Sequence, residues 1–189
     1  DVNGDGMNDI IGFFNDGVYV SLATGTGFTA PSVWSTQFGV SSGWVYTTLS
    51  IHVADVNGDG KSDIVGFGYN GVSVALSTGT GFTNGAEWSN IYGYNDASGG
   101  WRIDSNPRFV KDVDGNGKAD IVGFGNEETT VSLSTGSSFS TISYRVTGYG
   151  TNTNWSTATH SRILADVDGD GQCDIVGFGH HGTTVSLYE

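Results

Sequence analysis

A 14-residue unit occurs four times in this 189-residue chain, and no other feature of the sequence limits the fold as strongly. The four copies begin at residues 1, 55, 112 and 166, so the intervals between them are 54, 57 and 54 residues. A second marker keeps this spacing, because Trp44, Trp101 and Trp155 each lie 11 residues before the next copy. Repeats of this period are typical of solenoids, propellers and arrays, in which a small structural unit is stacked on its neighbours.

Each repeat is predicted to contain β-strands rather than helices. The unit at Asp55 continues into a short apolar run, a turn over residues 69–71 and an alternating stretch in which Val72, Val74 and Leu76 share one face. Alternation with a period of two residues is typical of a β-strand. No window of the sequence shows a convincing 3.6-residue apolar period, so the predicted fold class is all-β.

Two further strands complete each repeat. An aromatic segment such as residues 81–88 is predicted to add the third strand, and the fourth precedes each Asp-rich loop, around 49–54, 108–111 and 162–165. Four-stranded antiparallel units at this interval are typical of β-propeller blades, which pack face to face around a central axis. With strands A to D counted outward from the axis, the chain should hold B-C-D, two complete blades and A-B-C, or fourteen strands. We therefore expect residues 1–189 to form a single propeller arc of about three and a half blades.

The predicted arc is open. An open arc leaves two blade faces and unpaired strand edges in water, which natural β-proteins avoid. We therefore expect either self-association or the remainder of a longer chain to close the ring. An internal disulfide cannot contribute, because Cys173 is the one cysteine of the chain.

The net charge of −13 argues against two classes of partner. Nucleic acids and anionic membrane surfaces attract patches of Lys and Arg, and this chain has 7 such residues against 20 Asp and Glu. No apolar run approaches the ~18 residues that a membrane-spanning helix needs. We therefore expect neither nucleic-acid binding nor membrane insertion.

An Asp-rich loop opens each repeat with the pattern D-x-[ND]-x-[DN]-G-x-x-D. Oxygen-bearing side chains occupy positions 1, 3, 5 and 9, the main-chain carbonyl of position 7 points inward, and the glycine at position 6 lets the backbone curl. Hard oxygen ligands at alternate positions of a tight turn suit Ca²⁺, whereas Mg²⁺ prefers to keep its waters. The predicted ligands, in up to four calcium sites, are Asp1, Asn3, Asp5, Met7, Asp9, Asp55, Asn57, Asp59, Lys61, Asp63, Asp112, Asp114, Asn116, Lys118, Asp120, Asp166, Asp168, Asp170, Gln172 and Asp174.

Two other kinds of loop are also rich in aspartate and glycine, the EF-hand and the ordinary Asx turn. An EF-hand requires a bidentate glutamate at position 12, where this chain has glycine, so we expect position 9 to take that chelating role. Ordinary Asx turns would explain one or two aspartates per loop, but crowded carboxylates repel each other without a cation. The four loops hold 13 carboxylates, and the remaining seven acidic residues balance the seven basic ones. The excess charge of the chain therefore lies in the predicted calcium loops, and we expect the metal to be structural.

The unit D-V-N-G-D-G-K-S-D-I-V-G-F-G, followed by G-V-S-V-A-L, resembles the FG-GAP repeats of integrin α-subunit propellers and the related VCBS repeats. The segment at 100–110, G-W-R-I-D-S-N-P-R-F-V, is similar to a narrower group, the Psathyrella velutina type of fungal lectin. That resemblance implies a seven-bladed propeller, calcium in some loops, and binding of N-acetylglucosamine (GlcNAc) or sialylated glycans between blades. The group's His-Pro-Arg motif becomes Asn106-Pro107-Arg108 and His160-Ser161-Arg162 here, and it is missing at residues 49–51.

Strand parity predicts where a ligand would bind. The A-B and C-D loops emerge on one rim, and the B-C turns and long D-A segments emerge on the other, so the calcium loops should lie opposite the tryptophans. Sugars are bound by aromatic rings beside amides, carboxylates or imidazoles. The candidate ligand-binding residues are Tyr69, Asn70, Tyr92, Tyr94, Trp101, Arg102, Asn106, Arg108, Asn126, Tyr149, Trp155, His160, Arg162 and His180. The alternative is that the tryptophans pack between blades and that Arg108 and Arg162 pair with carboxylates.

These features favour a non-catalytic, multivalent lectin, with an integrin-like protein-binding adhesion module as the alternative. An enzyme is not expected, because no Ser/His/Asp set or pair of catalytic carboxylates recurs and the aspartate clusters are assigned to metal. The expected location is extracellular or secreted. Asn154-Trp155-Ser156 is an N-glycosylation acceptor sequence, and a glycan there would crowd one predicted pocket.

Overall fold

The computed structural model describes residues 1–188, which form fourteen strands in four antiparallel sheets. The first blade contains β1 (Ile10–Phe13), β2 (Val18–Ser21) and β3 (Ser32–Ser35). The second blade contains β4 (Ser50–Ala54), β5 (Asp63–Phe67), β6 (Val72–Ala75) and β7 (Ala86–Ser89). The third blade contains β8 (Arg108–Lys111), β9 (Asp120–Phe124), β10 (Glu128–Ser132) and β11 (Tyr144–Thr147), and the fourth contains β12 (Arg162–Ala165), β13 (Asp174–Gly179) and β14 (Gly182–Ser186).

Each sheet is a meander in which strands adjacent in sequence are paired. The sequence-based prediction of four-stranded antiparallel blades, with three, four, four and three strands along the chain, is confirmed. The first strands of the second and third blades, β4 and β8, contact each other, as expected for strands near the propeller axis. Three short 3-10 turns, Val40–Ser42, Asp96–Ser98 and Thr151–Thr153, are the only helical elements within residues 1–188.

The apolar core lies between the blades rather than inside any one of them. Every residue of β5 and of β9 is buried, because the second strand of an inner blade is covered on both faces by neighbouring sheets. The D-I-V-G-F run therefore has no polar face. One cluster, for example, joins Val65 and Phe67 of the second blade to Ile121 of the third. No helix in the described part of the chain is long and apolar enough to cross a membrane.

The structure corrects the prediction of a continuous strand over residues 81–88. Only Ala86–Ser89 pairs with β6, and Phe82 forms a single bridge with Ser77. The main-chain N–H of Phe82 instead donates to the carbonyl of Trp34 in the preceding blade, at 3.1 Å, and the two rings lie 5.6 Å apart. An aromatic residue needed between blades thus delays the start of the strand to Ala86.

Phe139 repeats this arrangement one blade later. Its N–H donates to the carbonyl of Trp88 at 3.0 Å, and the centroids of the two rings are 5.5 Å apart. Phe139 is buried in the same cluster as Trp88. The segment between the third and fourth strands of a blade therefore joins that blade to the preceding one.

Candidate functional site

The Asp-rich loops are closed by hydrogen bonds to the carboxylate at position 1. In the second loop, the side chain of Asp55 accepts the main-chain N–H groups of Asn57, Gly58, Asp59 and Gly60, at 3.2, 2.7, 3.3 and 2.8 Å. Gly58 and Gly60 have φ angles of +79° and +83°, a region that favours glycine, which explains the two invariant glycines of the loop. The Asx-turn alternative therefore describes the position-1 side chain correctly.

The aspartate at position 9 has a role that the sequence did not reveal. Both oxygens of the fully buried Asp120 accept main-chain N–H groups, Oδ2 from Val113 at 3.0 Å and Oδ1 from Ser134 at 2.7 Å. Burial raises its pKa to about 6, the two amide bonds oppose that shift, and the charges of Asp114 and Asp112 add to it. This carboxylate thus ties the loop to the end of the third strand. The equivalent residues Asp9, Asp63 and Asp174 make the same two kinds of bond.

Three carboxylates converge in the third loop and three in the fourth. Oxygens of Asp112, Asp114 and Asp120 lie within 4.8 Å of one another. The fourth loop repeats this with Asp166, Asp168 and Asp174. The first two loops have Asn3 and Asn57 at the corresponding third position. A cluster of hard oxygen donors of this size fits the ligand chemistry of Ca²⁺.

The predicted ligands at positions 5 and 7 bond to each other in every loop. The N–H of Lys61 donates to Asp59 Oδ1 at 3.0 Å, and its ammonium group forms an ion pair with Asp59 Oδ2 at 2.9 Å. Position 5 does not join the converging carboxylates among the described residues. The same main-chain bond joins Met7 to Asp5, Lys118 to Asn116 and Gln172 to Asp170.

Successive loops are also linked across the blade boundary. The N–H of Ser62 donates to the carbonyl of Asp1, and the N–H of Ala119 donates to that of Asp55, both at 2.7 Å. The aliphatic part of Lys61 lies over Gly4, as that of Lys118 lies over Gly58. The loops therefore form a connected rim, which single-repeat motifs did not predict.

On the opposite rim, each junction between neighbouring blades contains a pocket. The first–second pocket, about 240 Å³, is lined by residues that include Trp44, Leu49, Tyr69, Asn70 and Glu87. The second–third pocket, about 290 Å³, includes Trp101, Asn106, Asn126, Glu128 and Arg145. The third–fourth pocket, about 750 Å³, includes Asn154, Trp155, His160, His180 and His181. The predicted pairing of B-C turns with D-A segments on one rim is thus what the structure contains.

A glycine in the second strand of the second, third and fourth blades makes room for a tryptophan. A Cβ atom at Gly123 would lie 2.6 Å from the Trp101 ring and 2.7 Å from the Tyr92 ring. Gly66 and Gly177 have the same relation to Trp44 and Trp155. The glycine of D-I-V-G-F is therefore required by the close approach of an indole, not by a turn.

Two predicted ligand-binding tyrosines are interior residues, so their predicted contact with a ligand is corrected. Tyr92 has no exposed surface, its ring lies 5.0 Å from that of Trp101, and its hydroxyl is 2.9 Å from Ser132 Oγ. Tyr149 is buried and stacks on Trp155 at 4.9 Å. Both have left-handed φ angles, of +64° and +57°, and both precede a glycine. They support the tryptophans from behind, as Phe38 supports Trp44.

Arg108 and Arg162 are likewise supporting residues. The buried Arg108 donates from Nη1 to the carbonyl of Tyr92 at 3.1 Å, and Arg162 donates to that of Tyr149 at 2.7 Å. Each guanidinium lies over a phenylalanine ring of the preceding blade, and neither forms an ion pair within residues 1–188, so the carboxylate alternative is wrong. Burial lowers the pKa of Arg108 to about 10, with a further contribution from Arg102.

Four other candidates form a surface cluster at the first–second pocket, which Tyr69 and Asn70 line. Tyr69 is 60% exposed, and its ring lies 5.8 Å from that of Tyr94. The Arg102 guanidinium lies 3.9 Å from the centroid of the Tyr94 ring and pairs with Asp96 at 3.5 Å. Asn70 accepts a hydrogen bond from the side chain of Asn95 at 2.7 Å.

The remaining candidates meet in pairs inside the pockets. Asn106 Nδ2 donates to Asn126 Oδ1 at 3.0 Å, and the rings of His160 and His180 lie 4.3 Å apart. The sequence did not indicate the pocket residues Glu87, Glu128 and Arg145 as members of a binding site. Glu128 and Arg145 form an ion pair across strands β10 and β11, and only their opposite charges on neighbouring strands could have indicated it.

Comparison with known proteins agrees with this geometry. The chain resembles a lectin from Agrocybe aegerita described by its specific recognition of non-reducing terminal N-acetylglucosamine, with a TM-score of 0.91 and 37% identity. The match covers 98% of this chain and 47% of the lectin, so the chain spans about half of the lectin's length. The Tc holotoxin pore of Photorhabdus luminescens, with a TM-score of 0.67, 17% identity and coverage of 95% of this chain and 8% of its own, shares the fold alone.

A search of curated protein sequences gave no significant match. The model of the FG-GAP-like repeat matches residues 1–66 and 112–177, which is more than half of the chain. Both matched ranges begin at an Asp-rich loop and end within the second strand of a blade. This chain therefore belongs to the FG-GAP-like repeat family.

Proposed function

We propose that this chain is part of a non-catalytic lectin that binds GlcNAc-containing glycans in the pockets between blades. The observation that carries the proposal is the recurrence of one tryptophan-bearing pocket at each of the three blade junctions. The similarity to the Agrocybe aegerita lectin supports the sugar class. Sialylated glycans are a second ligand class within the same proposal.

The second–third pocket has the chemistry that an N-acetylated sugar needs. Trp101 is 7% exposed and offers an edge of its indole as an apolar wall, and Asn126, Glu127 and Arg145 offer exposed polar groups. Apolar C–H faces of a sugar pack on such a wall, while its amide and hydroxyls exchange hydrogen bonds with the polar groups. Shallow repeated sites of this kind gain strength through multivalency.

Substitution of Asn126 by alanine is expected to weaken GlcNAc binding at the second–third pocket about tenfold, roughly 1.4 kcal/mol, because a polar contact and the Asn106 pairing are lost. The other pockets should keep their affinity. Calorimetric titration with GlcNAc and a glycan array measure both effects. The control is Asn84→Ala, an exposed residue on the opposite rim. If the unsubstituted chain bound no GlcNAc-terminated or sialylated glycan, the proposal would be wrong.

A protein-binding adhesion module is the second candidate. The exposed cluster of Tyr69, Tyr94 and Arg102 favours it, because Tyr and Arg are enriched among the residues that dominate protein interfaces. Capture of a polypeptide partner that excess free sugar does not reverse would support this function over the lectin.

Calcium stabilisation is the second part of the proposal, with the third and fourth loops as the strongest sites because three carboxylates converge there. Metal that binds only the folded state adds RT ln(1 + [Ca²⁺]/Kd) per site. Chelation with EDTA is therefore expected to lower the melting temperature, and added calcium should restore it. Asp114→Asn, which gives the third loop the asparagine of the first two, should raise the calcium concentration needed for that recovery.

An unchanged melting temperature in EDTA, after elemental analysis has shown that metal was removed, would contradict structural calcium. Magnesium is the matched control, since it should restore less stability at equal concentration. Dependence on calcium agrees with an extracellular location, which we also propose; recovery of the protein from the culture medium of its source tests it.

A further inference from the structure

The three pockets differ at one pair of structurally equivalent positions. Strand register aligns Ile51, Arg108 and Arg162, each opposite the glycine of the second strand. The residue two positions before each of these is Leu49 in the first–second pocket, Asn106 in the second–third pocket and His160 in the third–fourth pocket. The B-C turn that faces them begins with Tyr69, Asn126 and His180. The first–second pocket therefore has an apolar residue and a phenol, Leu49 and Tyr69. The second–third pocket has an amide pair, Asn106 and Asn126, and the third–fourth pocket has an imidazole pair, His160 and His180.

The amide pair and the imidazole pair are bound to the backbone in the same way. Asn106 Oδ1 accepts the main-chain N–H of Arg102 at 3.3 Å, four residues earlier, and His160 Nδ1 accepts that of Ser156 at 3.1 Å. The hydroxyl of Thr159 also lies 3.1 Å from the same nitrogen. An N–H group that points at Nδ1 requires that nitrogen to be unprotonated. An asparagine oxygen in the same place meets this condition at every pH between 5 and 8.

Within residues 1–188, no residue that lines the third–fourth pocket can compensate a positive charge on the imidazole pair. Its lining residues include no Asp or Glu among the described residues, and a third imidazole, His181, follows on the same turn. Arg162 on β12 donates to the carbonyl of Trp155 at 3.3 Å, and the Tyr149 ring lies behind that indole. The carboxylate of Glu127, on the preceding blade, accepts a hydrogen bond from the side chain of Asn152.

We propose, resting on the lectin function above, that His160 and His180 make the third–fourth pocket release neutral GlcNAc-terminated glycans on acidification, while the second–third pocket binds them throughout. Protonation of His160 at Nδ1 leaves the Ser156 N–H without its acceptor. Protonation of both rings places two positive charges at a ring separation of 4.3 Å, next to Arg162. Histidine is the side chain whose charge ordinarily changes between pH 5 and 8, so a change of pH across that range is the perturbation that tests this pair.

The test is an NMR titration of the whole chain with GlcNAc at pH 7.5 and pH 5.5, in saturating calcium. The indole N–H signal of Trp155 reports the third–fourth pocket, and that of Trp101 reports the second–third pocket. We expect the apparent Kd at Trp155 to rise at least about fivefold at the lower pH, and that at Trp101 to change less than about twofold. In the double variant His160→Asn and His180→Asn, which reproduces the amide pair, Trp155 should lose its pH dependence. The matched control His181→Asn should retain it.

A second readout does not involve sugar. In the free protein, the Ser156 amide signal should shift with the titration of His160, and the Arg102 amide should not shift over the same range. Equal pH dependence at the two tryptophans, an unchanged Ser156 amide, or a Trp155 signal that responds to GlcNAc at neither pH would overturn the inference while leaving the lectin intact. No response at either tryptophan at pH 7.5 would instead remove the lectin function and, with it, this inference.

Discussion

Substitution of Gly123 by alanine is expected to destabilise the chain by about 3 kcal/mol and to disturb the second–third pocket. The added Cβ would lie 2.6 Å from the Trp101 ring and 2.7 Å from the Tyr92 ring, and both rings are buried, so neither can move away freely. The φ angle of Gly123 is not in the left-handed region, so the penalty is steric rather than conformational. Urea denaturation followed by tryptophan fluorescence measures the loss.

Gly27→Ala is the matched control, because no atom lies within 4 Å of the Cβ position there and its backbone is also compatible with alanine. If the two variants were equally stable, the close approach of Trp101 would not be the reason for this glycine. Combining Gly123→Ala with Trp101→Phe, a smaller ring, should recover part of the stability. That recovery would show that the indole itself is what the glycine accommodates.

Asp120→Asn is expected to cost about 3 kcal/mol of unfolding free energy, even though the two side chains have almost the same shape. Both carboxylate oxygens accept a main-chain N–H, from Val113 and from Ser134, and an amide can accept only one of them. The NH₂ group would then face a donor in a fully buried place. Thermal and urea denaturation in EDTA separate this loss from any loss of calcium.

Asp114→Asn is the control in the same loop, because the first two loops already have asparagine at this position. In EDTA it should change the unfolding free energy by less than about 0.5 kcal/mol. Equal stability of the two variants in EDTA would mean that Asp120 acts only through metal, and the role of position 9 as a tie between loop and strand would then be wrong.

The fold could be predicted because each of its signals lies within a single repeat. Alternation at Val72, Val74 and Leu76, and the recurrence of the Asp-rich loop, gave the strand order of all four blades. Strands β8 and β12 have the predicted bounds. The placement of tryptophans and B-C turns on one rim followed from strand parity alone, and the three pockets lie there.

The parts that could not be predicted depend on contacts between repeats. Phe82 leaves its own strand because it packs on Trp34 of the preceding blade, and Tyr92 is interior because Trp101 covers it. Neither partner belongs to the 14-residue unit from which the strands were predicted, so the repeat pattern did not indicate these contacts. The predicted role of Asp120 considered the loop alone, whereas its second bond is to Ser134, fourteen residues away. A signal for the tyrosines was present, since Phe38, Tyr92 and Tyr149 each precede a glycine and a tryptophan.

Hydrogen bonds from Ser62 to Asp1 and from Ala119 to Asp55 join the Asp-rich loops in series along one rim. Each blade is thereby coupled to its nearest neighbours, and the free energy of the arc becomes a sum of blade terms and junction terms. An ion bound in one loop would stiffen the loop beside it without touching it. If the proposed calcium ions bind these loops, we expect their binding to be cooperative along the rim, and damage to one loop to affect the adjacent blade first.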